Sequence, residues 1–216
     1  METNTQLELA SRFVQFTNKN IFLTGKAGTG KTTFLKNLKE HSPKRMIVVA
    51  PTGVAAINAG GVTIHSFFQL SFAPQIGDNS NDWKEKRFSK EKINIIRSLD
   101  LLVIDEISMV RADVLDAIDR VLRRFKNRMK PFGGAQVLMI GDLQQLAPVI
   151  KRDEWELLKT EYETGYFFSS KVLKQTSYVS IELTHVYRQQ DDMFISILNK
   201  VRDNCLDKPS LDTLNK

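Results

Sequence analysis

Three short runs of this sequence hold residue types whose spacing suits phosphate chemistry. The first is Gly25-Lys26-Ala27-Gly28-Thr29-Gly30-Lys31-Thr32, followed by Thr33. It is a full match to GxxxxGK[ST], set between an apolar run and a helical pattern, which is the context that the chemistry requires. Glycines let successive backbone N–H groups turn inward around phosphate oxygens, and the helix behind points its positive end at the same place. Lys31 can reach β- and γ-phosphates, and the Thr32 hydroxyl can sit on Mg²⁺. A plain glycine turn would need neither at these offsets. The run predicts binding of ATP with Mg²⁺, with Gly25, Ala27, Gly28, Thr29, Gly30, Lys31, Thr32 and Thr33 around the phosphates.

The second run, Leu101-Leu102-Val103-Ile104-Asp105-Glu106, delivers two carboxylates at the end of an apolar strand. Asp105 is placed to hold the magnesium, directly or through water. Glu106 is placed to polarise an attacking water as general base. Paired acids after a strand can also merely cap the next helix, the reading to prefer without the glycine loop. The third run, Gly141-Asp142-Leu143-Gln144-Gln145, again follows a strand. Its amide can sense a γ-phosphate, although the segment alone could be only a turn.

The elements that must position these runs follow from hydrophobic patterning. Residues 21–23, Met46–Ala50, Leu101–Ile104 and Gln136–Ile140 are near-continuously apolar, as strands buried on both faces are. Helical patterns alternate with them over residues 31–40, Ala112–Phe125 and residues 191–202. In Ala112–Phe125, Val114, Leu115, Ile118, Val121, Leu122 and Phe125 form one face, with charges expected on the opposite, solvated face. The alternation predicts an α/β fold, a mostly parallel sheet sandwiched by helices, with ligands at the C-terminal ends of the strands. Residues 69–90, with Pro74, Gly77, Asn79, Ser80 and Asn81, break the rhythm as a long irregular insertion.

Composition sets the outer limits. A chain of 216 residues with 42% hydrophobic and 26% charged residues fits one large domain with a real core. No apolar run approaches the roughly 20 residues of a membrane span. The start, Met1-Glu2-Thr3-Asn4, lacks the basic and apolar regions of a secretory signal, and the single Cys205 excludes an internal disulfide or a cysteine zinc site. A cytoplasmic location is the expectation. The net charge of +6 would suit a polyanionic partner. Its cations crowd two stretches, Arg120, Arg123, Arg124, Lys126, Arg128 and Lys130, and Lys84, Lys86, Arg87, Lys90 and Lys92. The first cluster reads most simply as a solvated helix face and its trailing loop.

Three further segments carry a family resemblance. The stretch from Pro51-Thr52-Gly53-Val54 to Val62-Thr63-Ile64-His65-Ser66-Phe67-Phe68 resembles the Ia region of Pif-type (petite-integration-frequency) DNA helicases of superfamily 1. Glu106-Ile107-Ser108-Met109-Val110 resembles that family's signature after Walker B, and Leu183-Thr184-His185-Val186-Tyr187-Arg188-Gln189-Gln190-Asp191 resembles its motif IV. The motifs run in the family's order over nearly the whole chain, closer to the bacterial members.

The resemblance implies a RecA-like P-loop NTPase, the first motor domain of an ATP-dependent 5′-to-3′ DNA helicase. It makes Gln145 a γ-phosphate sensor, Arg188 the arginine that stabilises transition-state charge, and Gln6 an adenine contact or else a surface residue of a first helix. Thr52, Gly53, Thr63, His65, Ser66 and Phe67 fall where the family grips single-stranded DNA; His65 would otherwise read as a packed or surface histidine. Residues 69–90 fall where the family inserts a wedge that parts duplex DNA, with Phe72, Pro74, Trp83 and Phe88 supplying apolar surface. Ala147 stands where many members have proline. Nothing after Arg188 resembles motifs V and VI of a second motor domain, and the tail 203–216 is polar and without apolar periodicity. One motor domain, monomeric, binding nucleotide, single-stranded DNA and duplex or forked DNA but not unwinding alone, is the expectation. A nucleotide-gated DNA-binding module would leave Glu106 and Arg188 idle, and a P-loop kinase would leave the segment from Thr63 to Phe68 unexplained.

Overall fold

The computed structural model describes residues 5–76, 87–185, 187, 192–202 and 204–215. Six strands, β1 (Asn20–Gly25), β2 (Met46–Ala50), β3 (Val62–Thr63), β4 (Leu101–Ile104), β5 (Gln136–Ile140) and β6 (Tyr178–Leu183), form one sheet in the order β3-β2-β4-β5-β1-β6. Every pairing is parallel. Between and around the strands lie α1 (Thr5–Phe16), α2 (Lys31–His41), α3 (Gly53–Asn58), α4 (Ile64–Phe68), α5 (Lys90–Ser98), α6 (Ala112–Phe125), α7 (Arg152–Leu158), α8 (Lys171–Lys174), α9 (Asp192–Arg202) and α10 (Lys208–Leu214).

Side chains alternate across a strand, so each apolar run feeds two cores. Register lines Val48, Val103, Leu138, Ile21 and Val179 in one row across five strands. That face packs against Ala10 and Val14 of α1 and Phe34, Leu35 and Leu38 of α2. The other face, with Phe22, Val49, Leu102, Ile104, Val137 and Met139, packs against the apolar stripe of α6 and against Phe67 and Phe68 of α4. Among the described residues, no helix is long and apolar enough to cross a membrane.

The strands at β1, β2, β4 and β5 and the helices α2, α6 and α9 fall where apolar patterning predicts them, within two residues at each end. The polar tail holds a short helix that its patterning does not announce: α10 forms over Lys208–Leu214, with proline in its first turn and Asp207 accepting the Ser210 N–H as its cap. One expectation needs correction. The far face of α6 is not a solvated charged face. Asp113, Asp116 and Asp119 are all buried, and each holds a loop. Asp113 accepts from Arg111 and the Gln75 N–H, and Asp116 from the Tyr162 hydroxyl and the Lys171 and Val172 N–H groups. Asp119 pairs with Arg123 and accepts the Phe132 N–H. The basic cluster is therefore partly spent inside the fold. Lys126 caps the carbonyls of Arg97 and Leu99, and Arg120 donates to the Gln75 carbonyl.

Both ends of the insertion are pinned. Leu70 and Gln75 are buried on the entering side and Phe88 on the returning side, where it packs edge-on to Phe125. Phe88 is thus core rather than an exposed wedge surface, because helices α5 and α6 close over it. Phe72 remains 77% exposed. Residues 77–86, Trp83 among them, lie outside the described residues.

Candidate functional site

All six strands point the same way, so their C-terminal ends share one rim of the sheet. Along it the chemistry-bearing segments stand in the spatial order of the strands. Thr63 ends β3, and Thr52 follows β2 by two residues. Asp105 and Glu106 follow β4, Asp142 and Gln145 follow β5, residues 25–32 follow β1, and Thr184, His185 and Tyr187 follow β6. β5 separates β1 from β4, which leaves room between the glycine loop and the paired carboxylates. A cleft of about 270 Å³ opens there, lined by Thr32, Thr52, Asp105, Glu106, Gln145 and Leu146 among others.

The glycine loop is shaped by two backbone demands. Gly25 has φ 148°, and a Cβ there would stand 2.6 Å from the Leu183 carbonyl of β6, so only glycine lets the strands pair this closely. Gly30 takes the left-handed conformation (φ 94°) as the N-cap of α2. The Lys31 ammonium donates to the carbonyls of Gly25 and Lys26, the latter at 3.0 Å. Burial pulls its pKa below the ordinary lysine value, while the negative charges of Asp142, Glu106 and Asp105 act to raise it. Ala27, Thr32 and Thr33 are exposed. Thr29 differs: it is fully buried, and its hydroxyl donates to the Lys26 carbonyl at 2.8 Å. Its side chain braces the loop, leaving only its backbone for a ligand.

Asp105 and Glu106 are both half-buried. Asp105 accepts the Glu106 N–H through Oδ1 at 3.0 Å, and burial raises its pKa. Burial also raises that of Glu106, and the adjacent charge of Asp105 raises it further. A carboxylate of raised basicity beside a cleft suits a proton acceptor. Glu106 is held at φ 50°, ψ 46°, a left-handed conformation that a non-glycine residue adopts only when its surroundings impose it.

Gln145 is exposed on the rim, and its Nε2 donates to Oδ2 of Asp142 at 3.2 Å. Asp142 was not singled out by the motif reading, yet it is 1% exposed at the middle of the site. Burial works to raise its pKa, but hydrogen bonds from Arg202 and the Gln144 N–H, with the charges of Arg202 and Lys31, hold it below the usual carboxylate value. Arg202 of α9 grips both oxygens, at 2.6 and 2.8 Å. One turn earlier on α9, Asn199 accepts from Lys26 of the glycine loop at 2.7 Å. The spacing of 199 and 202 puts both on one helix face, and that i,i+3 pair of polar residues in an apolar-striped helix was the only available signal.

At the β2–β3 end, Thr52 accepts the Ala55 N–H as the cap of α3, and Thr63 accepts the Ser66 N–H as the cap of α4. Gly53 and Ser66 are exposed. His65 stacks on Phe72 with centroids 4.5 Å apart. Burial and the positive charge of Arg111 lower its pKa, so at neutral pH it offers a ring and a neutral hydrogen-bonding group rather than a cation. Phe67 does not stand with them. It is 7% exposed, in the core edge-on to Phe68, because the turn of α4 that exposes Ser66 points Phe67 inward.

Gln6 lies beside the end of β6, donating to the Thr184 hydroxyl at 3.1 Å. Tyr187 donates its N–H to the Gly28 carbonyl at 2.9 Å, and its ring lies beside Gly30. Motif IV therefore abuts the glycine loop. Arg188 itself lies outside the described residues. A second cavity, of about 350 Å³, sits on α6 among Asp116, Asp119, Arg120 and Tyr162, away from every motif. Its charges mostly satisfy one another, which marks it as part of the loop-holding network.

A six-stranded parallel sheet, a phosphate-type glycine loop after β1 and paired carboxylates after β4 define a RecA-like P-loop NTPase domain. More narrowly, the chain belongs to the PIF1-like helicase family, whose model matches residues 5–210. It is 38% identical over 192 residues to ATP-dependent DNA helicase PIF1 of Candida albicans, a match covering 85% of this chain and 21% of that protein. Bacteroides Pif1 bound to single-stranded DNA matches with a TM-score of 0.91 and 47% identity, over 99% of this chain and 49% of the other. The Bacteroides Pif1 helicase in complex with ADP-AlF3 and single-stranded DNA gives 0.91 and 47%, over 98% and 49%. The chain thus spans about half the length of these solved relatives and about a fifth of the curated one.

Proposed function

We propose that the chain is the first motor domain of an ATP-dependent helicase that moves 5′ to 3′ along single-stranded DNA and parts a duplex or fork ahead of it. The observation that carries this reading is the common rim. Thr32, Asp105, Glu106 and Gln145 line one cleft with Thr52, so groups suited to a triphosphate and groups suited to a DNA backbone adjoin. The solved relatives bind a nucleotide analogue and single-stranded DNA with this half of their chains present.

In this reading ATP lies along residues 27–30, whose N–H groups face its phosphates, with Gln6 toward the adenine. Lys31 exchanges its two carbonyl partners for β- and γ-phosphate oxygens. Hard oxygen donors suit magnesium, and the Thr32 hydroxyl and the Asp105 carboxylate are such donors on one cleft. Magnesium, when bound there, neutralises charge on the phosphate oxygens. Glu106 accepts the proton of the water that attacks the γ-phosphorus; the bond to the β,γ-bridging oxygen breaks, and ADP and phosphate leave. Gln145 contacts the γ-phosphate, and Arg188 stabilises the charge that develops on it. Thr52, Gly53, Thr63, His65 and Ser66 hold the strand by its backbone without reading bases. Residues 69–90 form the wedge, and a second motor domain supplies the alternating closure that stepping requires.

The test is ATP hydrolysis with and without single-stranded DNA, on this chain and on one extended to the length of its relatives. The extended chain is expected to be stimulated by DNA. This chain is expected to bind nucleotide, to bind single strands weakly and to turn over slowly. Hydrolysis by the extended chain at one rate whether or not DNA is added would remove the motor reading.

A further inference from the structure

Asp142 poses a problem for a site that takes a polyanion. Its carboxylate is 1% exposed, it follows β5, and β5 runs between the strands that deliver the glycine loop and the paired carboxylates. Alone, this charge would repel a triphosphate and compete for the Lys31 ammonium. It is not alone: four donors converge on it. Arg202 supplies Nη1 to Oδ2 at 2.6 Å and Nη2 to Oδ1 at 2.8 Å. Gln144 N–H reaches Oδ1 at 3.1 Å and Gln145 Nε2 reaches Oδ2 at 3.2 Å. Four bonds exhaust the accepting capacity of a carboxylate, and of the three residues that supply them only Arg202 carries a charge.

We propose that Arg202 is a positioning residue for nucleotide binding, which neutralises Asp142 and so keeps Lys31 available to the phosphates. The inference rests on the nucleotide-site reading above and adds to it a residue from the far end of the chain. A guanidinium fork satisfies both oxygens of one carboxylate, which a lysine does not. Arg202 also lies in the last turn of α9, where the helix dipole favours a cation. The bond from Lys26 to Asn199 docks the same helix face against the glycine loop, so the fork is held in place from both sides. Of the carboxylates near Lys31, Asp142 acts on it most strongly. With Arg202 removed, a buried and uncompensated charge remains, and Lys31 is the cation beside it. The ammonium then turns from the phosphate position toward Asp142.

The test is direct titration of this chain with ATP in magnesium, with the melting temperature recorded for each variant. Arg202→Gln is expected to weaken ATP binding about tenfold or more, as loss of a charge-assisted interaction does. Asp142→Asn removes the charge that Arg202 answers, so Asp142→Asn/Arg202→Gln is expected to bind within about threefold of Asp142→Asn alone. A helix anchor with no electrostatic role would not be rescued in this way. Wild-type affinity in Arg202→Gln, or no recovery in the double variant, would overturn the proposal. Should Arg202→Gln fail to fold, the comparison of the double variant with Asp142→Asn still decides it, since a further large loss of affinity there gives Arg202 another role. Absence of ATP binding by the wild-type chain would instead count against the nucleotide-site reading.

Discussion

Glu106 shows how much of the proposed chemistry turns on one side chain. Its identity and its place after an apolar strand are visible in the sequence. Its left-handed backbone is not, nor is its raised basicity, which comes from burial and from Asp105 beside it. Glu106→Gln keeps the shape and the hydrogen-bonding reach but cannot take a proton. In the extended chain, DNA-stimulated hydrolysis should fall by a factor on the order of 10² to 10⁴, while ATP affinity stays within about threefold. A nucleotide-gated switch without a motor role would keep the same DNA affinity and response in this variant, so measuring both hydrolysis and DNA binding separates the two. Phe67 gives the contrary lesson at the same scale. It stands beside Ser66 in a segment that resembles a DNA grip, but the phase of a five-residue helix turned it into the core.

At the scale of elements, the strands buried on both faces were legible and the edge strands were not. β4 and β5 are apolar at nearly every position because helices cover both sides. β6 alternates exposed and buried residues, and β3 is two residues long, since an edge strand has fewer neighbours to satisfy. The junction of β6 with β1 leads to a stability prediction. Gly25→Ala places a methyl 2.6 Å from the Leu183 carbonyl at a φ that side chains rarely adopt. It should destabilise the fold by about 1–3 kcal/mol, read as a lower midpoint in urea, and a midpoint equal to wild type would show that β6 can shift at no penalty.

The aspartate stripe of α6 carries a second element-scale prediction. Tyr162 donates its hydroxyl to Asp116 at 2.8 Å. Burial, then the negative charge of Asp116, pushes its pKa far above the ordinary phenol value. The folded chain therefore keeps a proton that the unfolded chain releases near about pH 10. The stabilisation is complete below that pH and is lost progressively as pH rises above it. Tyr162→Phe should be less stable than wild type at neutral pH, by about 1–3 kcal/mol for the donor lost to a buried carboxylate. Its melting temperature should also fall less steeply than that of wild type between roughly pH 9 and 11. Parallel slopes would mean that Tyr162 does not report on the loop it holds.

For the whole molecule, the chain spans about half the length of its solved relatives, and in the proposed reading stepping needs two domains whose separation changes. This chain should bind a forked substrate without parting it, whereas the extended chain should part it in an ATP-dependent way. Strand separation by this chain alone, followed with a fluorophore–quencher fork, would refute the two-domain requirement. The wedge assignment for residues 69–90 belongs to this scale too. Its flanking residues Leu70, Gln75 and Phe88 are buried.

The sequence by itself determined the phosphate loop, the paired carboxylates, the alternation of strand and helix and the family likeness. Each is a local pattern, in which residue type and spacing within one element carry the physics. Tertiary structure decided which of those groups meet and in what electrical state. The strand order set Asp142 between the glycine loop and the paired carboxylates, and only folding brought Arg202 across 60 residues to neutralise it. It also buried three aspartates of α6 that helical periodicity assigns to solvent. Burial and long-range pairing depend on what packs against a residue, and no spacing within one element encodes that.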